Sequence, residues 1–149
     1  NERMKRVAFV LLIILTAALA ACGSAEPTPM PKAQLSLTAT DIAYDTNRLE
    51  VKVGQPVVVT LRNEGLLEHD FSIMEMPHAG EVMAEEEEGG MGHDMSNLTM
   101  DPEIHVAPPV GKSLAVEFTP MAAGEYEYFC TVEGHKEAGM AGTLVVTAP

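Results

Sequence analysis

Tryptophan is absent from this chain, and Phe and Tyr number only 4 and 3 among 149 residues. Large aromatic side chains are too few to fill a core, so Val, Leu, Ile and Met must do so. Basic residues are scarce: Lys and Arg total 9 against 22 Asp and Glu, for a formal net charge of −13. An acidic surface repels phosphate, which excludes nucleic acid and favours a cationic protein partner reached by electrostatic steering. No nucleophile–base pair and no second metal site can be picked out, which argues against an enzyme. Convincing amphipathic helical periodicity is also missing. Two cysteines, Cys22 and Cys130, allow at most one disulfide. That pairing is not expected, because Cys22 has another use.

Arg3, Lys5 and Arg6 precede an uncharged run from Val7 to Ala21. A basic start, an apolar segment and small residues before a cut describe an export signal. The run is also shorter than the roughly 20 apolar residues of a comfortable membrane span. Leu19-Ala20-Ala21-Cys22 resembles a bacterial lipobox, which implies a signal peptide over 1–21 and acylation of Cys22. Several acyl chains on one residue anchor durably where a single chain binds marginally. Asn1 is no start methionine: either Met4 is the start or residues upstream of Asn1 are missing. Losing Arg3, Lys5, Arg6 and Glu2 leaves 6 basic and 21 acidic residues, a net charge of −15. Residues 22–32, rich in Pro and small residues, read as a spacer. A domain over 33–149 follows.

Apolar residues then recur every second position. Leu35, Leu37 and Ala39 alternate with polar residues, as do Leu49, Val51 and Val53, and then Val57, Val59 and Leu61. Turn residues separate these runs. His69–Ile73, Ser113–Phe118, Glu125–Cys130 and Gly142–Thr147 add further candidates. Alternation of this kind marks strands half-buried against one core. About seven to eight short strands with turns between them predict an all-β Greek-key sandwich.

Residues 74–111 break that spacing. They carry Met91, Met95, His78, His93 and further methionines around the acidic run Glu85–Glu88. A loop of this length signals function or disorder. It has two readings: a solvated acidic insert, or a segment whose thioethers and imidazoles, with His78, Met91, His93 and Met95 as accessory sites, recruit soft Cu(I).

The chemistry concentrates near the C-terminus. Cys130, His135 and Met140 each stand five positions after the last, on a glycine-bearing loop between two strand-like runs. Thiolate, imidazole and thioether together suit copper cycling between Cu(I) and Cu(II), typically in a trigonal Cys/His/His site with a weak axial Met. Structural zinc sites rarely use a thioether. Of the five histidines, only His69 lies just after a strand–turn unit.

His69 with Cys130-x4-His135-x4-Met140 resembles the cupredoxin (type 1 blue copper) family, most closely its auracyanin-type and halocyanin-type members. The resemblance spans about Ala33 to Pro149, apart from the 74–111 insert. It implies that His69, Cys130 and His135 are equatorial copper ligands and Met140 the axial one. Val132, Glu133 and Gly134 supply no second cysteine, so the centre it implies is mononuclear. Family members often carry Asn after the first histidine and Thr or Ser after the cysteine, hydrogen-bonded across the two loops. Here Asp70 and Thr131 occupy those positions; an ionised carboxylate only accepts, and the Thr131 hydroxyl can donate to it. The function implied is one-electron transfer at the outer face of a membrane or in the periplasm, with His135 as the port to a redox protein such as a cytochrome. The alternative is a copper-scavenging or copper-delivery lipoprotein that works through the Met/His-rich insert.

Overall fold

The computed structural model describes residues 29–86 and 100–149, and for 81–86 the backbone only. Among these residues there are ten strands and no helix. They run β1 (Ala33–Thr40), β2 (Ala43–Tyr44), β3 (Arg48–Lys52), β4 (Val57–Asn63), β5 (Phe71–Ile73), β6 (His78–Glu86), β7 (Ile104–Val106), β8 (Ser113–Pro120), β9 (Gly124–Phe129) and β10 (Ala141–Thr147). One sheet has the order β2-β1-β4-β8-β6 and the other β3-β10-β9-β5-β7. The predicted all-β sandwich is therefore observed, with more strands than expected. Two of the additional ones, β6 and β7, lie inside the 74–111 segment. That segment is thus no free loop throughout; Met91, His93 and Met95 fall outside the described residues.

The period-two pattern is what drives this fold. Along β8, buried and half-buried positions alternate strictly, with Leu114, Val116, Phe118 and Pro120 turned inward. β4 buries Val57, Val59 and Leu61 on the same principle. These side chains, with Leu37 of the neighbouring β1, meet Phe71, Leu144 and Val146 of the facing sheet in one core. Each buried Val, Leu or Phe contributes roughly 1.5–3 kcal/mol relative to exposure, so the aliphatic core suffices without tryptophan.

Strand direction fixes where the chemistry falls. β1 pairs in parallel with β4, from Ala33 opposite Val57 to Ala39 opposite Asn63. β9 and β10 are antiparallel, with Phe129 opposite Ala141. The end of β4, the start of β5, the end of β9 and the start of β10 therefore share one end of the sandwich. His69, Cys130, His135 and Met140 all lie in the connections at that end.

Candidate metal centre

Asn63 shapes the turn that delivers His69. Its side-chain Oδ1 accepts from Gly65 N at 3.0 Å and its Nδ2 donates to Leu67 O at 2.9 Å. Gly65 also makes room for the ring, since a Cβ there would lie 2.9 Å from His69 Nε2. The loop after β9 is closed by its own backbone. His135 N donates to Val132 O, Met140 N to His135 O, and Cys130 N to Met140 O at 3.1 Å. Gly134 (φ 82°) and Gly139 (φ 101°) take the left-handed turns this closure requires.

The result is a buried cluster. Ligand atoms of His69, Cys130 and His135 all lie within 4.8 Å of one another, and Cys130 Sγ is 3.5 Å from His135 Nδ1. Met140, fully buried, sits beside them. A trigonal ion with bonds of roughly 2.0–2.3 Å would hold sulfur and nitrogen about 3.8 Å apart, close to this spacing. Both ring nitrogens of His69 are buried without a hydrogen-bond partner. An unpaired buried polar atom costs about 1–3 kcal/mol, and coordination of an ion is what this donor set offers in its place. The donor set thus fits copper.

Electrostatics prepare the ligands. Burial, then the neighbouring His135, lowers the pKa of His69, which keeps the imidazole neutral and able to ligate. Burial pushes the Cys130 thiol up to about 11, although backbone N–H groups of Asp70 and Val132 pull it down. A metal must displace that proton to bind the sulfur.

Behind the ligands, Asp70 ties the two loops together. Thr131 N donates to its Oδ1 at 2.7 Å, and the Thr131 hydroxyl donates to its Oδ2. The expected hydroxyl contact is therefore present, with a backbone N–H added. Burial alone would raise the Asp70 pKa, but His105 and the Thr131 donors outweigh it and hold the carboxyl below the usual range. The Tyr44 hydroxyl donates to the Asp70 carbonyl. Burial first, then the charges of Cys130 and Asp70, raise the pKa of Tyr44 well above the ordinary phenol value.

His78 is elsewhere. It sits opposite Pro120, at the other end of the sandwich, with Nδ1 2.9 Å from Met76 O and 3.8 Å from Glu103 Oε2. It does not join the cluster. Asn63 and Gly65 read in the sequence only as turn residues, and His105 only as one histidine of the 74–111 segment; their roles around the site are not legible there. The period-two triplet Ile104-His105-Val106 is the signal that could have placed His105 on a strand.

Fold and donor set together define a class: a β-sandwich protein with one mononuclear type 1 copper site. Comparison with known proteins agrees. The sequence profile of the copper binding proteins, plastocyanin/azurin family, matches residues 31–147. The chain belongs to that family. It is 29% identical to a copper-resistant cuproprotein, CopI, of Pseudomonas aeruginosa, over 97% of both chains. Its fold is similar to that of reduced auracyanin from Roseiflexus castenholzii (TM-score 0.58, 22% identity, 77% of this chain and 97% of the other). It is similar also to auracyanin A, a "blue" copper protein of Chloroflexus aurantiacus (TM-score 0.52, 24% identity, 78% of this chain and 100% of the other).

Proposed function

We propose that this protein is a one-electron carrier, exported and lipid-anchored through Cys22, in which His69, Cys130, His135 and Met140 would hold a copper ion. Copper, when bound, supplies the Cu(I)/Cu(II) couple. The chain's part is to hold its donors in nearly one arrangement for both oxidation states, which limits rearrangement during transfer. The observation that carries this reading is the buried His69/Cys130/His135 cluster on loops cross-tied by Asp70 and Thr131. No enzymatic role is assigned. The partner is a cationic redox protein such as a cytochrome, met in a small and short-lived encounter.

Adding Cu(II) to the purified protein should give an intense visible absorption from thiolate-to-copper charge transfer. Cys130→Ala should abolish it, and survival of the band in that variant would end the proposal. Cys22→Ala should shift the protein from the membrane fraction to the soluble one.

A second reading, copper capture or delivery, is favoured by the name of the Pseudomonas relative, a copper-resistant cuproprotein. Replacing Met91, His93 and Met95 with Ala separates the two. Under the carrier reading electron exchange is unchanged; under the capture reading cellular copper tolerance falls.

A further inference from the structure

Among the described residues, three buried side-chain nitrogens or oxygens lack a hydrogen-bond partner. Two belong to His69, one of which would ligate the metal. The third is Nε2 of His105. His105 is the central residue of β7, the edge strand of its sheet, and stands opposite Ser72 of β5. Its side chain is 9% exposed and that of Asp70 6%, and Nε2 lies 3.5 Å from Asp70 Oδ2. The separation and alignment fall outside a full hydrogen bond, yet this carboxylate is the acceptor the ring nitrogen faces. Asp70 accepts from Thr131 N at Oδ1 and from the Thr131 hydroxyl at Oδ2, with Ser72 Oγ 3.5 Å from Oδ1 and His105 Nε2 3.5 Å from Oδ2. An acidic group that accepts from several donors at once is held as the anion. A fixed negative charge next to the copper ligands favours Cu(II) over Cu(I), because the oxidised ion carries more positive charge.

We propose that His105 is a positioning residue for electron transfer: through its Nε2–H it holds the Asp70 carboxylate and offsets its charge, and so sets the reduction potential of the copper. The inference rests on the electron-carrier reading. His105 makes no hydrogen bond to a ligand; it acts through Asp70, which follows His69 in the chain and whose carboxylate holds Thr131, the residue after Cys130. β7 is thereby a third segment joined to the two ligand loops. Removing the imidazole takes away the N–H dipole that faces the carboxylate charge, so the copper should become harder to reduce. Removing the carboxylate charge should have the opposite effect.

The test is spectroelectrochemistry of the copper-loaded full chain as wild type, His105→Leu, His105→Gln and Asp70→Asn. The expected result is a lower potential in His105→Leu and a wild-type potential in His105→Gln, whose amide N–H can replace the imidazole donor. Asp70→Asn should raise the potential, and adding His105→Leu to it should change little more. An unmoved potential in His105→Leu, or equal displacement in the Leu and Gln variants, would overturn the role of His105. A wild-type protein that binds copper without a reversible couple would overturn the carrier reading and this inference with it. Independently of any variant, the Cu(I) form should show the His105 proton on Nε2 in a long-range proton–nitrogen spectrum. A proton on Nδ1 alone would contradict the proposal.

Discussion

Cys130 illustrates how one side chain makes the site conditional on pH. Its thiol is raised from 9.0 to about 11 by burial, so at neutral pH the metal-free protein carries a proton on the sulfur. Copper uptake must release it, and apparent affinity should therefore climb about tenfold per pH unit between pH 7 and 9, measured by competition with a chelator of known pH dependence. The same shift has a stability sign. A folded-state pKa above the unfolded value contributes stability below about pH 9, and this is lost as pH rises toward 11. Metal-free protein should thus unfold more readily across that window, whereas copper-loaded protein, with no thiol proton to lose, should not. Met140 is the other informative single residue. Met140→Leu keeps the buried volume but removes the thioether, so copper should stay bound while the potential rises. An unchanged potential would show that Met140 contributes no axial bond.

At the scale of elements, the β9–β10 hairpin carries three of the four donors, and its packing has a narrow tolerance. Gly142 lies directly opposite Tyr128, and a Cβ on it would fall 2.2 Å from the Tyr128 ring. Tyr128 is fully buried, stacks at 5.2 Å on Phe71 and donates to Thr46 O at 2.9 Å, so it cannot move aside cheaply. Gly142→Ala should cost on the order of 1–3 kcal/mol by overpacking, read by denaturant unfolding of the metal-free protein. This hairpin was also the most legible part of the sequence, since its donors sit on one short loop between two alternating runs. The strands of the 74–111 segment were not. Gly80, at φ 85°, and the register shift between Ala79 and Met83 interrupt alternation in β6, while β7 has only three residues. Pairing with β8 and β5 makes strands of them, and such long-range pairing leaves little trace in local composition. The same reason hides His105: it is one polar residue in a very short run, and its meaning depends on Asp70, brought near only by the β5–β7 register.

For the whole molecule, charge is the dominant property. The described surface ion pairs, such as Lys136 with Glu127 at 2.6 Å and Arg62 with Glu64 at 2.6 Å, are exposed and each worth at most about 1 kcal/mol. They neutralise a few acids and leave the excess of 22 acidic over 9 basic residues to act at long range. Association with a cationic redox partner should therefore slow as salt rises from 10 to 300 mM, because the Debye length contracts from about 30 Å to under 8 Å. Stopped-flow electron exchange would measure this, and a salt-independent rate would mean that charge does not guide the encounter.

The parallel register of β1 with β4 carries one more implication. Ala33 lies level with Val57, whereas His69 follows the opposite terminus of β4. A leash attached ahead of Ala33 therefore departs from the pole remote from the copper. Were the molecule held by a lipid on that side, its metal-bearing pole would face away from the bilayer.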